Sequence, residues 1–107
     1  MQKPTIVVLI PCLNEEITIG KVIRDFKKEI PEAKIIVFDN NSTDLTASIA
    51  NESGAKVEKE LRPGKGNVMA SMFRKVDADY YVIVDGDDTY SAEHVRQLLE
   101  PVLDGSA

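Results

Sequence analysis

Four short apolar runs recur along the chain, separated by longer stretches in which apolar residues return at helical spacing. The first run, residues 5–10 (Thr-Ile-Val-Val-Leu-Ile), is rich in β-branched side chains and is closed by Pro11, the pattern of a buried strand. Asn14 then stands where a helix cap belongs, with Glu15 and Glu16 in the positive first turn. Ile19, Val22, Ile23, Phe26 and Ile30 fall at i, i+3, i+4, i+7 and i+11, one stripe of a helix, and Pro31 stops it.

Three further units follow. Ile35-Ile36-Val37-Phe38 reads as a second buried strand ending at Asp39. Asn40-Asn41-Ser42-Thr43-Asp44 supplies a turn and a cap for a helix that runs to about Ser53, with Gly54 as its C-terminal stop. Residues 55–59 alternate apolar and charged side chains, as a half-exposed edge strand does. Gly64-Lys65-Gly66 opens a third helix whose apolar stripe is Val68, Met69, Met72, Phe73 and Val76. Tyr80-Tyr81-Val82-Ile83-Val84 is expected to be a strand buried on both faces. Ser91 then caps a last helix through Val95, Leu98, Leu99 and Val102, with Pro101 as a kink point.

This alternation predicts an α/β fold: a Rossmann-like parallel sheet of four β-α units with helices on both faces. Right-handed crossovers make the strand order 3-2-1-4, which puts the topological switch between strands 1 and 4. The tips of strands 1, 2 and 4 carry Pro11–Glu15, Asp39 and Asp85–Asp88, so these groups converge on one crevice.

Composition narrows the function. A chain of 107 residues forms one domain at most. Eighteen acids against thirteen bases give a net charge of −5, which argues against nucleic acid as a partner. Cys12 is the only cysteine, so no intrachain disulfide forms and a reducing compartment is expected. No apolar stretch approaches the ~20 residues of a membrane span, and Met1-Gln2-Lys3-Pro4 leads into the first strand without signal-peptide architecture.

The chemistry is carried by the acids that follow the fourth strand. Asp85 and Asp87 stand one residue apart around Gly86, and carboxylates so placed can share a hard divalent cation that keeps waters and bridges substrate phosphates. An acidic turn that merely ends the strand is the alternative. Asn14 and Glu15 could equally serve a helix start, and Asp39 could open an Asx-turn. Lys65, between two glycines at a helix start, suits an anion or solvent. Cys12 reads as a small packed residue, and His94, the only histidine, has no assigned role.

Taken together the motifs resemble those of family 2 glycosyltransferases. Pro11-Cys12-Leu13-Asn14-Glu15 is similar to the family's P-x-Y-N-E opening and Asp39-Asn40-Asn41-Ser42-Thr43-Asp44 to its D-[DN]-x-S-x-D element. Arg62-Pro63-Gly64-Lys65-Gly66 is similar to N-x-G-K-G, and Asp85-Gly86-Asp87 to D-x-D. The nearest flavour is the polyprenyl-phosphate sugar transferases of the dolichol-phosphate mannose synthase type.

The resemblance implies the N-terminal half of a GT-A fold that binds a UDP- or GDP-sugar for transfer to an acceptor such as polyprenyl phosphate. It implies that Pro11, Leu13 and Glu15 line the base and ribose, and that Val37 and Asp39 contact the base. Asp85, Gly86 and Asp87 would meet the diphosphate with Lys65 near it, and Asp85 and Asp87 would serve catalysis by holding Mg²⁺ or Mn²⁺. It further implies a cytoplasmic site of action, at the cytoplasmic face of a membrane in polyprenyl-phosphate enzymes.

Two departures stand out. Leu13 replaces an aromatic residue, and the chain contains no match to the family's catalytic base or acceptor-side motif. The chain is therefore expected to be the donor-binding half of such an enzyme. Uncovered apolar surface beside the fourth strand would then favour a homo-oligomer.

Two other readings use the same residues. One is a nucleotide-binding module without catalysis. The other is a haloacid-dehalogenase-type phosphatase with Asp85 as nucleophile and Asp87 as general acid/base, which leaves Pro11–Glu15 and Asp39–Asp44 without a role.

Overall fold

The computed structural model describes residues 4–105; Met1–Lys3, Ser106 and Ala107 lie outside them. Strands and helices alternate: β1 (Ile6–Cys12), α1 (Ile19–Glu29), β2 (Lys34–Asp39), α2 (Thr46–Glu52), β3 (Lys56–Lys59), α3 (Lys65–Lys75), β4 (Tyr80–Ile83) and α4 (Ala92–Leu103). All strand pairs are parallel and the order is β3-β2-β1-β4, as the crossover rule requires.

β1 lies inside the sheet and is its most buried strand: Val8, Leu9 and Ile10 are inaccessible to solvent. Its alternate side chains separate two cores. Val8, Ile10 and Cys12 join Ile19, Val22, Ile23, Phe26 and Val37 under α1, α2 and α4. Val7 and Leu9 join Ile36, Phe38, Val68 and Met72 under α3. The α1 stripe predicted from spacing is buried in full, Ile30 included.

Several expectations are corrected. β4 is not buried on both faces: Tyr80 and Ile83 remain exposed, and among the described residues the strand pairs with β1 alone. Phe73 is also exposed; its ring meets Tyr81 edge-on at 5.4 Å, covering the sheet margin instead of entering the core. Leu98 is exposed on α4 and borders an apolar groove with Tyr81, Ile83, Tyr90, Val95 and Leu99. Pro101 sits in the last turn of α4, where the helix is already ending. Ser91 does cap that helix, accepting from the His94 N–H at 3.3 Å, and His94 is exposed.

The start of α1 differs most. Asn14 adopts φ 56°, a left-handed conformation that Asn tolerates better than most residues, and the helix begins only at Ile19. Asn14 and Glu16 make their contacts with the loop after β2 instead of capping the helix. Among the described residues no helix is long and apolar enough to cross a membrane.

Candidate functional site

The carboxyl ends of β1, β2 and β4 meet at the switch point, and two loops there are zipped together. Asn14 N–H donates to Ser42 Oγ (2.9 Å), and Thr43 N–H donates to Asn14 Oδ1 (2.9 Å). Glu15 N–H donates to Thr46 Oγ1 (2.9 Å) and Leu45 N–H to Glu16 Oε2 (3.1 Å). Asp44 closes the clasp, accepting from the Glu16 N–H at 3.3 Å and from the Thr46 N–H and hydroxyl. The polar residues at 41–46 thus fix the 13–16 loop, and with it Glu15.

Glu15 is half-buried at the cleft. Its carboxyl is pushed above the ordinary value by burial first, then by the negative charges of Asp87, Asp85 and Asp44. Burial pushes the Cys12 thiol up, with Glu15, Asp39 and Asp85 adding to the effect. Cys12 is therefore a protonated packing residue and no nucleophile. The field here is negative, so a bound anion needs a cation beside it.

The carboxylates after β4 fall into different environments. Asp87 Oδ1 accepts from both the Thr89 hydroxyl (2.7 Å) and the Thr89 N–H (3.2 Å). The Thr89 hydroxyl is the main reason its carboxyl lies below the ordinary range. Asp85 Oδ1 lies 3.3 Å from Lys65 Nζ. Asp88 turns away at φ 65° and pairs with Lys21 at 3.1 Å, so the third acid belongs to the scaffold.

Gly86 between them is buried. Its carbonyl accepts from Thr18 Oγ1 at 2.6 Å, and a Cβ there would stand 2.7 Å from Cys12 Sγ. The turn carrying Asp85 and Asp87 is thereby pressed against β1, and no side chain fits between.

A cleft of about 250 Å³ opens at this point, lined by Pro11, Leu13, Glu15, Asn40, Lys65 and Asp85, among others. Most of the residues expected at the site are brought together here. Asp87, two residues beyond Asp85, is exposed and lies outside the cleft lining, and its charge adds to what raises the Glu15 carboxyl. Asp39 is buried at the tip of β2 beside Cys12 in the register, and its Oδ1 accepts from the Ser42 N–H at 3.2 Å. Val37 corrects the expectation: it is fully buried because it sits two residues inside the strand end, where the helices already cover the sheet. Its side chain has no surface to offer a ligand.

Thr18, Asn40, Thr46 and Thr89 were not identifiable as site-shaping residues from spacing alone. The signal for them is closeness along the chain: Asn40 falls within Asp39–Asp44, while Thr46, Thr89 and Thr18 follow Asp44, Asp87 and Glu15 by two, two and three residues.

Among the described residues no group of three or more His, Cys, Asp and Glu side chains is arranged to hold a metal unaided. Asp85 and Asp87 would offer hard oxygen ligands from two side chains, and both Thr89 bonds go to Oδ1 of Asp87. A cation that completes its shell with water and phosphate oxygens suits such a donor set; Mg²⁺ and Mn²⁺ do so.

Residues 7–107 match the Glycosyl transferase family 2 profile. The chain belongs to glycosyltransferase family 2. Protein RfbJ of Shigella flexneri is 53% identical over 98 residues, covering 92% of this chain and 76% of its own length. Glycosyltransferase AglJ of Haloferax volcanii is 36% identical over 99 residues, covering 92% of this chain and 32% of its own.

Among solved structures, glucosyl-3-phosphoglycerate synthase from Mycobacterium tuberculosis, in complex with Mn²⁺, UDP-glucose and phosphoglyceric acid, superposes with a TM-score of 0.81. It is 33% identical, with 95% of this chain and 40% of that chain covered. The chain therefore spans about three quarters of RfbJ and well under half of AglJ and the synthase. Family membership and the parallel order place the fold among GT-A structures, and the phosphatase reading falls away.

Proposed function

We propose that this chain binds a nucleoside diphosphate sugar through a divalent cation held by Asp85 and Asp87, as the donor side of a glycosyl transfer. The observation that carries the reading is the cleft itself. It gathers Glu15, Lys65 and Asp85 from three separate segments at the switch point, and Asp87 follows Asp85 by two residues.

The division of labour follows from the local chemistry. Pro11 and Leu13 give the base and ribose an apolar wall, and Glu15 accepts from a ribose hydroxyl. Asp39, at the end of β2, accepts from a ring N–H of the base, as uracil and guanine present. The relative crystallised with UDP-glucose favours uracil. Lys65 and the first turn of α3 face the diphosphate. When bound, the cation neutralises charge that builds on the leaving diphosphate.

Thr89 keeps Asp87 ionised and fixed in orientation, and Gly86 lets the turn approach β1. The reaction class is attack of an acceptor oxygen on the anomeric carbon with departure of the nucleoside diphosphate. The acceptor is a phosphate-bearing molecule: a polyprenyl phosphate by the sequence resemblance, or a small phosphorylated acid by likeness to glucosyl-3-phosphoglycerate synthase. A cytoplasmic site of action suits a chain whose single thiol is unpaired and buried.

Calorimetry with UDP, UDP-glucose, GDP and GDP-mannose, in Mn²⁺ or in EDTA, tests the reading. Binding should require the metal, Asp87→Ala should remove most of the metal-dependent affinity, and Asp85→Ala a large part. Full affinity in EDTA, or unchanged binding by both variants, overturns it.

A further inference from the structure

Asn40 is a buried side chain, 8% exposed, with its whole amide committed to one loop. Nδ2 donates to the carbonyls of Glu60 (2.9 Å) and Arg62 (2.8 Å), and Oδ1 accepts from the Gly64 N–H (3.1 Å). Its backbone N–H donates to the Cys12 carbonyl at 2.9 Å. One residue thus ties the tips of β1 and β2 to the segment that starts α3.

The other holds on that segment are more exposed: Asn41 Nδ2 donates to the Leu61 carbonyl (2.9 Å), Asn67 Nδ2 to the Pro63 carbonyl (2.9 Å), and Lys65 Nζ reaches Asp85 at 3.3 Å. Gly64 adopts φ 102°, and a Cβ added there would meet nothing within 4 Å. Lys65 follows as the first residue of α3, and its side chain is 68% exposed, so packing does not place it. Yet Lys65 lines the cleft with Asn40 and Asp85. The direction of the helix start sets the base from which its ammonium reaches Asp85, and Asn40 is the buried side chain bonded to that start, at the Gly64 N–H.

We propose that Asn40 is a positioning residue, which holds the Gly64–Lys65 helix start so that Lys65 meets the diphosphate of the donor. The inference rests on the donor-site reading above. The amide suits the task because two carbonyls and one N–H converge on it, a set that one amide satisfies with two donors and one acceptor. A carboxylate in its place would set negative charge against two carbonyls. The acidic cleft adds the functional need: Lys65 is the one basic side chain among its lining residues, so a displaced Lys65 leaves the bound divalent cation alone to offset the diphosphate among carboxylates.

The test is a double-mutant cycle on UDP affinity in Mn²⁺, using Asn40→Ala, Lys65→Met and the pair. Each single variant should weaken UDP roughly tenfold, the scale of one charge-assisted contact. The pair should lose no more than the more affected single variant, because Asn40 works through Lys65. Uridine, which has no phosphate, should bind the wild type and Asn40→Ala equally in an NMR shift titration.

Additive losses, or equal loss of uridine and UDP in Asn40→Ala, overturn the proposal. Should Asn40→Ala fail to fold, Gly64→Ala strains the same helix start at its positive φ while leaving Asn40 and Lys65 in place. It should weaken UDP and leave uridine unaffected, and wild-type affinity for UDP would overturn the proposal. The donor reading has its own control, since wild-type protein that shows no metal-dependent UDP binding removes both. Metal-dependent UDP binding with an additive cycle removes the inference about Asn40 alone.

Discussion

Gly86→Ala probes how tightly the acidic turn is pressed against β1. The added Cβ would lie 2.7 Å from Cys12 Sγ, 3.3 Å from Ile19 Cδ1 and 3.5 Å from Glu15 Cγ. The first distance is well inside van der Waals contact, and both Cys12 and Ile19 are buried, Ile19 completely. Neither can swing into solvent, so either the core shifts or the turn lifts away from β1.

Overpacking of this kind costs about 1–3 kcal/mol, and each kcal/mol lowers Tm by roughly 4–8 °C in a domain near this size. Lifting the turn would also strain the Thr18–Gly86 hydrogen bond, 2.6 Å long, and move Asp85 and Asp87. Metal-dependent nucleotide binding should therefore weaken along with stability.

The cause can be isolated with Cys12→Ala. Removing Sγ abolishes the closest contact and leaves the milder one to Ile19. Gly86→Ala should consequently cost about 1–2 kcal/mol less in the Cys12→Ala background, a coupling of the size expected for touching residues. Urea unfolding of the wild type, the two single variants and the double variant gives the cycle directly. A Gly86→Ala cost below about 0.5 kcal/mol, the usual spread for surface changes, would refute the packing argument. So would a cost that is undiminished when Cys12→Ala is already present.

Asp39→Ala should weaken UDP by about 1.5–3 kcal/mol, the loss of a hydrogen bond to a charged group, and change binding of pyrophosphate with Mn²⁺ little; equal weakening of both by calorimetry would assign Asp39 to the fold. The Glu60 carboxyl is lowered from 4.5 to about 2, chiefly by its bond to the Arg62 side chain. A depressed carboxyl stabilises the fold fully above the unfolded value and loses that contribution as pH falls through the folded value. Glu60→Gln should thus flatten the acid limb of stability between 4.5 and about 2, and an unchanged pH slope in thermal melts would refute it. The apolar groove beside β4 should make the chain self-associate with a second copy, and Leu98→Asp on its exposed wall should shift sedimentation toward monomer; identical profiles for the two proteins would exclude that surface.

The amino-acid sequence by itself determined the order and type of all eight elements, because each is encoded in side chains a few positions apart. The β-branched runs at 5–10 and 35–38, the complete stripe from Ile19 to Ile30, and glycines at 54 and 64 need no tertiary knowledge. Crossover handedness then fixes the order β3-β2-β1-β4 and brings Glu15 and Asp85 to one crevice. What each polar residue does in that crevice depended on partners far along the chain.

Asn14, placed by local rules at a helix cap, bonds Thr43, 29 residues away, because Ser42 and Thr43 offer it better-aimed groups than a helix that starts only at Ile19. Asp88 is one more acid at the tip of β4 in the sequence, and only the fold gives it Lys21, 67 residues away, as a partner. Val37 reads as a ligand contact until the helices cover it, and β4 reads as doubly buried until the fold leaves Tyr80 and Ile83 exposed. Asn40 shows the same limit: in the sequence it is one more turn residue, and only the folded chain brings two carbonyls and an N–H to its amide. Periodicity records which face of an element is apolar, whereas the pairing of polar groups is settled by which loops the closed sheet holds side by side.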